Sequence, residues 1–507
     1  MDAFMEFERE KAIKRMQSQP QATRLKRAAP LSPPEKPKED ECCKLDCPNC
    51  VLLVYQEKLL EYELGLLQES QSAAIDGQHQ NKPSEPEPKY TLTYLNEPTA
   101  EQRALLNEND LSVFDISSNA LISPPHRTKD DWWRSVRHID LHVSESQKSY
   151  VGENASNIAV FVPNDASVVD RMLAHLQVDP DLLFTVEPVI TIATDEPTAM
   201  QHTAQRPFDK IGSVREALTW SFDLVTTPRA SFLRALAAYA SDDDDVRALN
   251  MPNAIEAIKD ERAGRGVTVA DLFDRFPSLR LSLAAFYQFA PFNAPRYYTV
   301  SSSRRFSPET VSLTLGLKKR ETQPVPRCSS YLAALEPGKD AIRASFFHSS
   351  FVFPAQNRHP ILLVSAGTGI APFRAFMQDL EHERADEQLL TVSSVVSASS
   401  GHSTVERAYE AQVLDQLHVV FSSAQDQSKR YVQDALAEQS ALVADHLVNQ
   451  QGYVFVCGSL VMGRAVKQAI VAALLAHADI SRVTTESAAK ERVTQWLASG
   501  QIVTELW

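Results

Sequence analysis

"ILLVSAGTGIAPFRAFMQDL", residues 361–380, opens on an apolar run, breaks into Gly-Thr-Gly, and restarts with a proline. Ile361 to Val364 is the short, continuously apolar run expected of a strand buried on both faces. Pro372 fits the first turn of a helix, where a missing N–H costs nothing. Phe373, Phe376, Met377 and Leu380 then recur at helical spacing. A strand, a glycine turn and a helix N-terminus together make a place where backbone N–H groups can meet a phosphate. The same turn is also compatible with nothing more than a tight connection.

Working outward, the same alternation repeats. "LLTVSSVV", "LHVVFSS" and "GYVFVCG" read as further strands separated by helical stretches, so a βαβ parallel-sheet unit is expected over residues 355–507. Upstream the texture differs. "VRHIDLHV" and "NIAVFV" read as strands, as do "PRYYTVSSS" and "TVSLTLGL". "SVREALTWSFDLVTTPRASFLRALAAYAS" is helical with a break near Thr-Thr-Pro, so helices interrupt this strand-rich region. Residues 135–354 are therefore expected to form a second domain, with helices over about 210–290. Residues 71–134 read as linker and irregular chain, and residues 1–40, charged and then proline-rich, as an extended arm.

Composition narrows the function classes. At 507 residues the chain is too long for one core. Its 51 Lys+Arg against 65 Asp+Glu give a net charge of -14, which argues against a nucleic-acid binder. No stretch approaches the ~20 apolar residues of a membrane span. The N-terminus lacks an apolar signal core and carries acidic residues, unlike a presequence. Six cysteines, four of them between Cys42 and Cys50, do not resemble an extracellular disulfide framework. The cytoplasm is expected, with the mitochondrion as the alternative.

Two further stretches carry chemistry. In "APRYYTVSSS", Arg296 and Tyr298 share one strand face, with Tyr297 and Thr299 beside them. An arginine suits a diphosphate, a tyrosine can lie against a ring, and a hydroxyl can hydrogen-bond it; an ordinary strand with a core tyrosine has the same pattern. "YVFVCGSLVMGRAVKQ" ends a strand on Cys457-Gly458-Ser459, where glycine permits close approach to the backbone and the cysteine reads equally as a small hydrophobe.

In this order, "RYYTVSSS", "CSSYL", "AGTGIAPFRAFMQD", "FSS...KRYVQ", "VFVCGS" and the final "ELW" resemble the FAD- and nicotinamide-binding half of the NADPH–cytochrome (diflavin) reductase family over residues ~135–507. The resemblance implies a flavin-binding antiparallel β-barrel with a helical insertion, followed by the α/β nicotinamide domain. By it, Arg296 neutralises the FAD diphosphate, Tyr297 belongs to the same flavin segment, and Tyr298 stacks on the isoalloxazine. Thr299 hydrogen-bonds the hydride-accepting nitrogen. Cys328 and Ser329 belong to the second flavin loop, in which Pro326 replaces the family's usual glycine. Gly367, Thr368 and Gly369 cradle the nicotinamide dinucleotide's diphosphate. Ser422, Lys429, Tyr431 and Gln433 agree with the 2′-phosphate site; Ser423 replaces its usual arginine, and Arg430 is the expected compensation. NADPH is thus expected ahead of NADH. Cys457, Glu505 (mostly Asp in the family) and Trp507 complete the implied hydride-transfer site, with Trp507 as a movable lid. "SVVSASS" lacks the family's frequent Cys-Arg, and "SYVGENASNIAVFVPND" lacks its Pro-Gly-Asp.

Residues 1–130 contain no Ser/Thr/Gly-rich phosphate loop of the kind that binds FMN, so the electron acceptor is expected to be a separate protein. In its place Cys42, Cys43, Cys47 and Cys50 open a helical stretch over 41–70, which resembles the short oxidoreductase-like N-terminal module. Zinc, an iron–sulfur centre, free thiols or a simple docking helix all suit that set. Two functions follow: a reductase passing hydride from NADPH to FAD and electrons onward, or a reductase-like domain kept as a structural or assembly subunit.

Overall fold

The structure is a computed structural model that describes residues 88–507, together with Tyr55, Lys58 and Glu85, apart from 111, 128–130, 150, 152–155, 190–210, 252–266, 321–325, 348, 350, 354–358, 384–391, 398–408, 421–429 and 507. Cys42, Cys43, Cys47 and Cys50 lie outside the described residues, as do Ser422, Ser423, Lys429 and Trp507. The chain divides into two units: one takes in Pro163–Asn293 and the chain up to Gln102, the other Arg103–Val162 and the chain from Ala294 onward.

In the first unit, helices surround a small antiparallel sheet of β1 (Tyr90–Leu95), β5 (Leu183–Pro188) and β6 (Ile211–Ser213), in the order β1-β5-β6. The expected helix break is present. Ser213 and Glu216 form a reciprocal capping box that starts the helix Val214–Trp220, and a second helix, Ala230–Ala237, follows the Thr-Thr-Pro. Phe232, Leu233, Leu236 and Ala237 all face inward from that second helix, as its spacing dictates. Phe222 anchors the core with Tyr287 and Phe286, at ring-centroid distances of 4.7 and 4.9 Å. Gln288, nearly buried, accepts the Tyr90 N–H at 3.1 Å and donates to the Tyr90 carbonyl at 3.0 Å, which fixes β1 to this core.

The second unit holds two sheets. The first consists of β2 (Val113–Arg127), β3 (Trp133–His142), β4 (Asn157–Phe161), β7 (Arg296–Thr299), β8 (Thr310–Lys319) and β9 (Ala341–Phe347), in the order β7-β4-β9-β2-β3-β8. Neighbours are antiparallel throughout, and an isolated bridge from Val300 to Leu313 joins the end of β7 to β8. Phe114, Ile139, Leu141, Ile158, Val160, Leu313 and Ile342 fill its interior. The stretch 71–134, read from sequence as linker, contributes β1 and β2. Its strand signal is broken because β2 shifts register three times against β3 and carries exposed Leu121, Ile122, Pro124 and Pro125.

The second sheet is parallel: β10 (Ile361–Ala366), β11 (Val392–Ser397), β12 (Gln416–Val420), β13 (Tyr453–Gly458) and β14 (Ile502–Leu506), in the order β12-β11-β10-β13-β14. Both faces of β10 are covered, which explains its unbroken apolar run. Leu362 and Val364 pack with Val454 and Val456 on one face; Ile361 and Leu363 pack with Phe373, Phe376 and Phe455 on the other. The fifth strand, "IVTEL", is short and buries only Ile502 fully, so its apolar signal is faint. Helix Ala371–Glu383 also joins the two sheets. Arg374 donates to the Ser301 carbonyl, Gln378 accepts the Ser303 N–H at 2.9 Å, and Asp379 accepts the Ser303 hydroxyl. The serines of "SSS" therefore hold the sheets together. Among the described residues no helix is long and apolar enough to cross a membrane.

Candidate functional site

The opening turn uses its two glycines differently. Gly367 sits at φ +59 with open space where a side chain would stand, a conformation that only glycine adopts without strain. Gly369 lies against β13: a Cβ there would fall 2.1 Å from the Cys457 carbonyl oxygen. A 3-10 turn, Gly367–Ile370, then feeds helix Ala371–Glu383, with Pro372 in its first turn. Thr368 packs over Gly316 of β8, since a Cβ at Gly316 would approach the threonine methyl at 3.2 Å.

Behind the turn, three strands place three polar side chains in one row. Ser365 pairs in register with Cys457, and Cys457 pairs with Glu505. Parallel partners in register point to the same side of a sheet. The Ser365 hydroxyl and the Glu505 Oε2 are both buried without a hydrogen-bond partner. Cys457 is fully buried; burial and the neighbouring Glu505 push its thiol well above the ordinary range. Glu505 is reached from the antiparallel sheet, where the Thr299 hydroxyl donates to its Oε1 at 3.3 Å. Asn157 stands opposite Thr299 in the β4–β7 register, its Oδ1 3.5 Å from the same hydroxyl. Burial raises the Glu505 pKa, while Thr299 and Asn157 oppose that shift.

A second cluster forms around β7. The Tyr298 hydroxyl donates to Cys328 Sγ at 3.3 Å, and burial raises both groups. Arg296 lies close enough to lower both, and it has no anionic partner among the described residues. Tyr297 is 61% exposed on the opposite face, its ring edge-on to Phe347. Pro326, at φ -60, is the N-cap of helix Arg327–Ala334, so the proline that departs from the family pattern starts a helix. No side chain caps that first turn, which contains Cys328 and Ser329.

The expected 2′-phosphate group is only partly described. Arg430, named from sequence as compensation for Ser423, is ion-paired with Glu438 on the surface. Tyr431 is the exposed N-cap of helix Val432–Glu438, and Gln433 is half-buried in its first turn. Asn157 escaped the sequence reading because it is the first residue of an ordinary strand; only the cross-strand register reveals it. Arg134 and Lys318 escaped as well. They stand directly opposite each other on β3 and β8, Lys318 two residues along from Gly316 and over the Trp132 ring at 4.2 Å. Like charges placed opposite each other repel, and neither has an acid partner among the described residues.

Comparison with known proteins agrees with this arrangement. The FAD binding domain profile matches residues 120–329, the oxidoreductase NAD-binding domain profile residues 363–468, and the oxidoreductase-like protein N-terminal profile residues 30–70. The chain thus carries an FAD binding domain followed by an oxidoreductase NAD-binding domain, and is similar to the FAD- and nicotinamide-binding half of the diflavin reductases. It is 27% identical to NADPH–cytochrome P450 reductase of Dictyostelium discoideum over 75% of this chain and 56% of the relative. The Drosophila melanogaster reductase is 26% identical over 64% of this chain and 49% of its own length. Inducible nitric oxide synthase of Bos taurus is 31% identical over 51% of this chain and 24% of its own. The chain thus spans about half or less of the length of these diflavin-type relatives.

Proposed function

We propose that the chain is an NADPH-dependent FAD reductase that hands electrons to a separate acceptor protein. The observation that carries the reading is the Thr299–Glu505–Cys457 constellation, which joins a strand end of the antiparallel sheet to the ends of β13 and β14 beside the Gly-Thr-Gly turn. In this reading the six antiparallel strands, closed by the Val300–Leu313 bridge, form the flavin barrel. Residues 163–293 are its helical insertion, and residues 355–507 the nicotinamide domain.

The residues fit the two cofactors. Arg296, free of an acid partner among the described residues, and the uncapped first turn at Cys328 and Ser329 suit the FAD diphosphate. Tyr298 offers an aromatic face beside them. Open space at Gly367 and the turn leading into helix Ala371–Glu383 suit the nicotinamide nucleotide's diphosphate. Arg134 and Lys318, on the side of β8 against which Thr368 packs, add cations to the same region. Lys429, Tyr431 and Gln433 carry the preference for the 2′-phosphate, with Arg430 contributing less because Glu438 already engages it.

Bound FAD supplies the conversion of two-electron donation into one-electron delivery. The chain's own residues orient and shield. Thr299 presents a hydroxyl fixed between two partners. Glu505 offers a carboxyl oxygen that can stabilise positive charge developing on a neighbouring ring. Cys457, with its thiol kept neutral by burial, fills the space between. Trp507 would act as the lid. The 42–50 cysteine module recruits the acceptor, whether or not it holds a metal.

The direct test is flavin content. The purified chain should carry one FAD and no FMN. Arg296→Ala should lower occupancy by removing a charge-assisted contact worth about 1.5–3 kcal/mol. Full occupancy in that variant would place the diphosphate elsewhere, and a chain that cannot take up FAD would favour the structural-subunit reading.

A further inference from the structure

Two routes connect the strand that carries Thr299 to the strand that carries Cys457. The direct one is slender. The Thr299 hydroxyl has one hydrogen to give, and it stands 3.3 Å from Glu505 Oε1 and 3.5 Å from Asn157 Oδ1. Both distances exceed those of an ordinary hydroxyl hydrogen bond. The second route runs through helix Ala371–Glu383. At its start the Gly-Thr-Gly turn is pressed onto β13 so closely that Gly369 leaves no room for a Cβ beside the Cys457 carbonyl. Further along, Arg374 and Gln378 stand four residues apart, hence on one face of the helix, and Asp379 follows. Arg374 donates to the Ser301 carbonyl, Gln378 Oε1 accepts the Ser303 N–H at 2.9 Å, and Asp379 accepts the Ser303 hydroxyl. Ser301 and Ser303 are fully buried and Gln378 nearly so, so none of these bonds can be given up without leaving a buried polar group unpaired. β8 completes the grip: the Ser301 N–H donates to the Ser312 carbonyl at 2.8 Å, and the Thr314 hydroxyl to Ser301 Oγ at 3.1 Å. Ser301 lies two residues beyond Thr299 in the chain.

We propose that Arg374 and Gln378 are positioning residues of the hydride-transfer site: their clamp on Ser301–Ser303, rather than the Thr299–Glu505 contact, sets where the flavin strand stands relative to the nucleotide turn. The inference rests on the functional reading above, in which β7 meets the flavin and the Gly-Thr-Gly turn meets the nucleotide. The turn, the helix it opens and the end of β7 then move as one body. Arg374 and Gln378 act only through Ser301 and Ser303, so their loss leaves each cofactor's own contacts in place and loosens the spacing between the two. Transfer demands that the reacting atoms be in near contact, and a misplacement of about 1 Å caused far from the chemistry costs about a hundredfold in rate. Grip on the nucleotide depends on other residues. Affinity and rate therefore separate.

The experiment compares wild type with Gln378→Met, which keeps the length of the side chain and removes the acceptor, both loaded with flavin. Three quantities are measured: affinity for adenosine 2′,5′-bisphosphate by calorimetry, the shift of the flavin absorbance band on adding NADP+, and the limiting rate of flavin bleaching by NADPH. The affinity should stay within about twofold of wild type, the band shift should shrink, and the limiting rate should fall about ten- to a hundredfold. Gln378→Glu, which still offers an oxygen to the Ser303 N–H, should regain most of the band shift and the rate. If Gln378→Met loses flavin, Arg374→Met, which lacks the donor to Ser301, takes its place with the same expectation. A band shift and limiting rate equal to wild type at normal flavin content overturn the inference and leave the reductase reading intact. A loss of affinity that matches the loss of rate overturns it as well. So does loss of flavin from both variants, which would make the clamp a support for the fold alone. A wild type that holds flavin but shows neither band shift nor bleaching would instead overturn the reductase reading, and this inference with it.

Discussion

Replacing Gly369 with alanine would place a methyl group 2.1 Å from the Cys457 carbonyl oxygen and 2.7 Å from its carbonyl carbon. A comfortable carbon–oxygen contact needs about 3.3 Å, so something must move by roughly 1 Å. Both neighbours are backbone atoms of the central sheet, and neither can rotate away. Overpacking of this kind costs about 1–3 kcal/mol, and the rigid partner puts this site at the upper end. For a unit of this size, about 3 kcal/mol corresponds to a fall in Tm of roughly 6–12 °C. The displaced atoms include the turn proposed to hold the dinucleotide, so nucleotide affinity should fall along with stability. Gly367→Ala separates the two effects. It meets open space and costs about 1–2 kcal/mol through its left-handed backbone, without pushing on Cys457. Thermal unfolding and calorimetric titration with NADPH, run on both variants, check the argument. A Gly369→Ala protein with unchanged Tm and unchanged affinity would refute the close packing of this turn on β13.

His446 is half-buried against the Tyr453 carbonyl, 3.0 Å from its Nε2, and loss of solvent holds its pKa below the ordinary histidine value. The folded state therefore binds fewer protons than the unfolded state, so this contribution is full above about pH 6.5 and is lost as pH falls below it; His446→Gln should flatten that limb of a stability–pH curve. Deleting residues 1–80, which stops short of β1 at Tyr90, should leave NADPH-to-ferricyanide activity intact while weakening capture of the protein acceptor. Collapse of ferricyanide reduction at normal FAD content would put the cysteines in the electron path.

The parallel sheet was legible because β10 and β13 are buried on both faces: "ILLV" and "VFVC" are continuous apolar runs, and helical spacing follows each of the two. β14 was not, because four of its five residues are half-buried and their pattern resembles a loop's. β2 was obscured by its bulges and exposed apolar residues, since a period of two is readable only while register holds. Thr299, Cys457 and Glu505 were visible as motif positions far apart in the chain. Asn157 was invisible, because its significance lies in standing opposite Thr299, and cross-strand register leaves no mark in a single sequence. The Arg430–Glu438 pair shows the converse, a cation that sequence assigns to a ligand and the fold gives to a neighbouring acid.

The central claim is that this chain takes hydride from a reduced nicotinamide onto a bound flavin. Anaerobic titration of the purified, FAD-loaded protein with NADPH, followed by the flavin absorbance near 450 nm, tests it most directly. The account predicts that the yellow band bleaches with one equivalent of NADPH, that NADH bleaches it more slowly, and that Thr299→Ala and Glu505→Ala slow the bleaching while retaining FAD. A protein that holds FAD but leaves it oxidised under excess NADPH would contradict the account.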